Sequence, residues 1–137
     1  MWRAFRFRDV MQRIVASHTF ARVILLHMRK RKWAEEAIEK LQMGQTAQIR
    51  PEGHSMQPRI NSGDLVTLEP CSAHDLAIGD VVLARITGRR YSHLVLHLVQ
   101  DREMDRFLVG SRDGRTDGWI AAENIFGRVT KVERLKP

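Results

Sequence analysis

Gly53-His54-Ser55-Met56-Gln57-Pro58-Arg59-Ile60-Asn61-Ser62-Gly63-Asp64-Leu65-Val66 is the stretch on which the reading of this chain turns. Pro51 and Gly53 interrupt any helix arriving from the N-terminal side, and Pro58 keeps Gln57 out of the helical region. Ser55 is therefore expected on an irregular, exposed segment. Gly53 lets another backbone approach closely, and amides around Ser55 can point at an oxygen that develops negative charge, as acyl transfer requires. A serine in a loop is by itself an ordinary turn residue. Its neighbours decide whether it is more.

Downstream, short β-branched or alternating runs are separated by Gly, Pro, Asp and Asn, which predicts strands over 46–50, 65–68, 80–86, 92–99, 107–109 and 125–132. Such a pattern belongs to a compact, mostly antiparallel β domain over residues 45–137. Upstream, residues 1–43 contain neither Gly nor Pro and read as helix. Trp2, Phe5 and Phe7 alternate with Arg3, Arg6 and Arg8 in a short arm, and Asp9 can cap a helix carrying Val10, Met11, Ile14 and Val15. A second helical stretch holds Phe20 and Val23 to Leu26 and ends in the basic run Arg29-Lys30-Arg31-Lys32. A third places Trp33, Ala34, Ala37, Ile38 and Leu41 on one stripe, with Gly44 just past its end. The expected organisation is thus an α-helical N-terminal segment over 1–44 followed by the β domain.

At 137 residues, 43% hydrophobic and 28% charged, the chain is sized for one domain with an accessory segment and is not of disordered composition. The net charge of +7 sits entirely in residues 1–50, which hold eleven Lys/Arg against four Asp/Glu; residues 51–137 hold twelve of each. An acidic partner would thus meet the N-terminal segment, as a docking protein or an acidic membrane surface, while the part carrying Ser55 shows no nucleic-acid-binding charge. Arg13, Arg22 and Arg29 interrupt the one candidate span, short of the roughly 20 apolar residues a bilayer requires. The location expected is the cytoplasm, free or peripheral at a membrane. A single cysteine, Cys71, forms no intramolecular disulfide and reads as structural. The six histidines show no metal-ligand spacing, so no metal or organic cofactor is expected.

The string Gly-x-Ser-Met-x-Pro-x-Ile-x-x-Gly-Asp, as Gly53 to Asp64, resembles the nucleophile motif shared by type I signal peptidases and the LexA-type self-cleaving repressors. The later Leu76-x-x-Gly79-Asp80-Val81-Val82 also resembles a turn of these families. The resemblance covers about residues 49–132 and implies a β-rich fold of the signal-peptidase type and hydrolysis of peptide bonds. Ser55 would be the nucleophile, its backbone amide an oxyanion donor, and Met56 and Pro58 would lie against the substrate.

The families place lysine or histidine at the general base. After Ser55 the only lysines are Lys131 and Lys136, too late to serve, and histidine stands at His93, 38 residues on. His97 lies four residues further on the same strand face and competes with it, but spacing favours His93. An imidazole needs an orienting acceptor on its other nitrogen, usually a carboxylate. The resemblance assigns this to Asp117, with Asp113 second, in Gly110-Ser111-Arg112-Asp113-Gly114-Arg115-Thr116-Asp117. Ser111 and Asp113 depart from the Asp and Asn of the histidine-type signal peptidases, and Leu94 departs from the Arg that usually follows the base.

The function implied is that of a signal-peptidase-like serine endopeptidase, without the usual membrane anchor, that cuts a leader or precursor peptide from a partner protein. Two alternatives stand beside it. A self-cleaving regulator would cut near Phe20-Ala21, although no Ala-Gly or Cys-Gly pair of the repressor type occurs in the chain. A non-catalytic peptide- or protein-binding module on the same fold would account for the departures at Leu94, Ser111 and Asp113.

Overall fold

A computed structural model describes residues 35–135 of the chain. The aromatic and basic arm, the helices expected before residue 35 and the candidate bond near Phe20-Ala21 lie outside the described residues.

Residues 35–42 form a helix, α1, with the expected stripe: Ala37, Ile38 and Leu41 are buried, whereas Glu35, Glu36, Glu39 and Lys40 are exposed. Gly44 ends it at φ +80°, a conformation that favours glycine. The Gly44 amide donates to the Leu41 carbonyl at 3.1 Å and the Gln45 amide to the Lys40 carbonyl at 2.8 Å, so carbonyls of the last turn are satisfied as the helix ends. Residues 37–137 make one compact unit, and α1 packs into the core of its sheet.

The remainder is mainly β. Seven strands, β1 (Ala47–Ile49), β2 (Leu65–Glu69), β3 (Val81–Thr87), β4 (Ser92–Glu103), β5 (Arg106–Gly110), β6 (Thr116–Ala121) and β7 (Ile125–Glu133), form one antiparallel sheet in the order β1-β2-β7-β3-β4-β5-β6. The central strand β3 reads as a nearly unbroken apolar run because both its faces are covered. Val81 and Leu83 join a core with α1, Ile49, Val66 and Leu68. Val82, Ala84 and Ile86 face a second core with Val99, Phe107, Val109 and Ile120. β3 and β6 touch although β4 and β5 stand between them, so this end of the sheet curls around the second core. Register shifts at Val99/Asp101 and Val109/Gly110 mark the bulges that accompany the bend. Phe107 and Val109 are completely buried there, each contributing about 1.5–3 kcal/mol of apolar transfer energy.

Asp64 of the Gly63-Asp64 turn is buried, 2% exposed. Its carboxylate accepts the Asn61 amide at 2.9 Å, the Leu135 amide at 3.0 Å and the Arg134 guanidinium at 3.0 Å, tying the turn before β2 to the chain after β7. The Asn61 amide above all, then the Leu135 amide, hold its carboxyl below the ordinary carboxylate range.

Candidate active site

Ser55 lies on a run of turns between β1 and β2, exposed as the two prolines and Gly53 led one to expect. The turn is fixed from below. Met56 and Ile60, each 4% exposed, insert into the first core, and the Ile60 amide donates to the Met56 carbonyl at 3.0 Å. Met56, expected against the substrate, is packed in the first core and anchors the turn. Pro58 remains exposed. Gln57 donates through its side-chain amide to His54 Nδ1 at 2.8 Å on the outer side of the turn.

Over this turn stands the middle of β4. His97 Nε2 lies 2.9 Å from Ser55 Oγ, and His97 Nδ1 lies 2.5 Å from Asp117 Oδ2 on β6. An ionised carboxylate only accepts, so a proton on Nδ1 points at Asp117, and in the neutral ring of that tautomer Nε2 accepts from the Ser55 hydroxyl. His97 and Asp117 are partly shielded, with side chains 13% and 20% exposed, while Ser55 stays accessible. Chemically, this is a hydroxyl in contact with a base whose other nitrogen is held by an acid, the arrangement that activates a serine for acyl transfer.

The histidine in this chain of contacts is His97, and His93 is not part of it. β3 and β4 pair from Thr87 opposite Ser92, so His93, opposite Ile86, is near the tip of the hairpin and exposed. His97 is opposite Val82 in the middle of the strand. The two share a face but stand about 13 Å apart along it, at about 3.3 Å per residue, and only the central one comes over Ser55. A signal for this was present in the sequence: Leu96 and Leu98 flank His97, as befits mid-strand, whereas polar residues precede His93. Leu94, a departure when His93 is taken as the base, packs against the first core.

Asp113, the second candidate for the acid, is committed elsewhere. Its carboxylate accepts the Ser111 hydroxyl in a short hydrogen bond and the Arg115 amide at 3.3 Å, closing the turn between β5 and β6. The Ser111 hydroxyl, foremost, holds the Asp113 carboxyl below the ordinary range. Ser111 and Asp113 thus act as a pair that shapes the loop leading to Asp117. Asp117 was open to being a turn residue before Gly118; it lies instead within β6, beside the irregularity where β5 and β6 slip register.

Lys131, on β7, is paired with Glu133 at 2.8 Å. Cys71 is half-buried, and burial pushes its thiol upward, away from the reactive thiolate. Among the described residues there is no cluster of His, Cys, Asp and Glu arranged to hold a metal ion, and no helix is long and apolar enough to cross a membrane. Comparison with the models of known protein families, with curated proteins and with solved structures finds no match to this chain.

Proposed function

We propose that this protein is a signal-peptidase-like serine endopeptidase that removes a leader or precursor segment from a partner protein in the cytoplasm or at a membrane surface. The observation that carries the proposal is the unbroken hydrogen-bonded chain from exposed Ser55 through His97 to Asp117. The choice of a peptide bond as substrate rests on the motif from Gly53 to Asp64 and its resemblance to signal peptidases.

In this mechanism Ser55 Oγ attacks the scissile carbonyl carbon while His97 Nε2 takes the hydroxyl proton. Asp117 stabilises the imidazolium, and backbone amides, that of Ser55 among them, receive the oxyanion. Collapse breaks the C–N bond as His97 returns the proton to the leaving amine. Water then attacks the Ser55 ester, again through His97, releasing the new carboxylate and restoring the hydroxyl. The basic N-terminal segment serves to dock the partner protein or an acidic surface. The departures at Ser111 and Asp113 build the loop that carries Asp117, so they give no specific support to a non-catalytic binding module.

The test is a comparison of protein N-termini in cells producing the wild-type protein or Ser55→Ala at equal level. The proposal expects at least one precursor whose mature N-terminus disappears in Ser55→Ala. Identical sets of N-termini in the two would sink it.

A further inference from the structure

The loop between β5 and β6 touches all three elements of the candidate site, and Arg112 is where it reaches the nucleophile. The Arg112 backbone amide donates to the Ser55 carbonyl at 3.1 Å, and its guanidinium donates to the Gln57 carbonyl at 3.0 Å. Between these two carbonyls the Met56 side chain is buried in the first core. Three successive residues of the nucleophile turn are thereby fixed: Ser55 and Gln57 from the loop above, Met56 from the core below.

The loop is itself held in place. Gln100, three residues beyond His97 on β4, donates to the Arg115 carbonyl at 3.1 Å and the Ser111 carbonyl at 3.3 Å, and accepts the Thr116 hydroxyl at 3.0 Å. The Ser111 amide closes the loop on the Arg115 carbonyl at 2.8 Å. One end of this bracket continues directly into Asp117. The base-bearing strand, the acid-bearing strand and the nucleophile turn thus have a common support, although they come from distant parts of the chain.

We propose that Arg112 is a positioning residue, which holds the Ser55 turn so that Oγ stays within bonding range of His97 Nε2. The proposal rests on the hydrolase reading above. The guanidinium contributes the part that a side-chain substitution removes, since every residue except proline keeps the backbone amide. An exposed turn released from one of its two carbonyl clamps samples positions in which Oγ and Nε2 are too far apart for proton transfer. A misplacement of about 1 Å at a reacting group can cost about 100-fold in rate.

The experiment measures the rate at which a phosphonate serine probe labels Ser55 in the wild-type protein, Arg112→Ala and Arg112→Lys, together with the Tm of each. The expected result is a 10- to 100-fold slower labelling of Arg112→Ala with little change in Tm, and an intermediate rate for Arg112→Lys. Guanidinium chloride, well below the unfolding transition, should partly restore Arg112→Ala, whereas sodium chloride at equal concentration should not. A purely structural role would lower Tm and give no such rescue, which would overturn the proposal. Equal labelling of wild type and Arg112→Ala at Ser55 would overturn it alone, leaving the hydrolase reading intact. An unlabelled wild type, beside a control hydrolase that labels, would remove the hydrolase reading and this inference with it.

Discussion

Replacing Asp117 by asparagine tests the electrostatics of the site with little change of shape. In the native arrangement Asp117 Oδ2 is 2.5 Å from His97 Nδ1, and both side chains are largely shielded from solvent. In the proposed mechanism His97 becomes an imidazolium beside that carboxylate when Ser55 gives up its proton. With the two charges centred about 4 Å apart and an effective dielectric constant of about 20, the attraction is about 4 kcal/mol. Losing it slows the step by about a thousandfold. The amide adds a second effect. In Asp117→Asn the new side chain can turn its NH2 group toward Nδ1, which drives the ring proton to Nε2, where it faces the Ser55 hydroxyl and leaves no acceptor. Together these place the loss between about 10³- and 10⁴-fold, in line with the same replacement in serine-protease triads. The assay is the second-order rate of phosphonate labelling at Ser55 for wild type, Asp117→Asn and Asp113→Asn, with Tm as a control on folding. Asp113→Asn weakens the turn between β5 and β6 and should cost far less. A loss below about tenfold in Asp117→Asn with an unchanged Tm would refute the reasoning, because no charge would then be acting across the 2.5 Å contact.

Two further outcomes concern stability. At Gly110 a side-chain Cβ would run into the Arg115 carbonyl and the Gln100 amide; Gly110→Ala should destabilise by about 1–3 kcal/mol, lowering Tm by several degrees, and an unchanged melting curve would contradict this packing. Asp64 has its folded-state pKa held below the ordinary 3.8, so its contribution is present above that value and is lost as the pH falls through the folded pKa. Melting curves from about pH 6 to about pH 2 should show wild type falling more steeply on acidification than Asp64→Asn, which starts lower at neutral pH; parallel slopes would exclude this role for Asp64.

Where sequence legibly announced structure, local chemistry and burial pointed the same way. The stripe Ala37, Ile38 and Leu41 ending at Gly44 gave a helix that needs no tertiary information to recognise. The strands from β1 to β5 and β7 followed from alternation and turn residues, although β4 runs on to Glu103, past the expected end at Val99. There a register shift carries the pairing with β5 around the bend. β6 was hidden because Asp117-Gly118 reads locally as a turn, while pairing with β5 makes it a strand. The choice between His93 and His97 could not be made from parity, since both point to one side of β4. It depends on where the nucleophile turn crosses the strand, which is set by the burial of Met56 and Ile60 and by the contacts of Arg112. The burial of Met56 was hidden for a related reason: a residue beside an exposed turn serine can point outward or into the core, and the sequence pattern of a turn does not say which.

The most direct test of the account is to treat the wild-type protein, Ser55→Ala, His97→Ala and His93→Ala with a phosphonate serine probe and locate the adduct by peptide mass mapping. A single adduct at Ser55 is expected in wild type, with its absence in Ser55→Ala, near-complete loss in His97→Ala and wild-type labelling in His93→Ala. Labelling that survives in His97→Ala but is lost in His93→Ala, or a wild-type protein that stays unlabelled while a control hydrolase reacts, would contradict it.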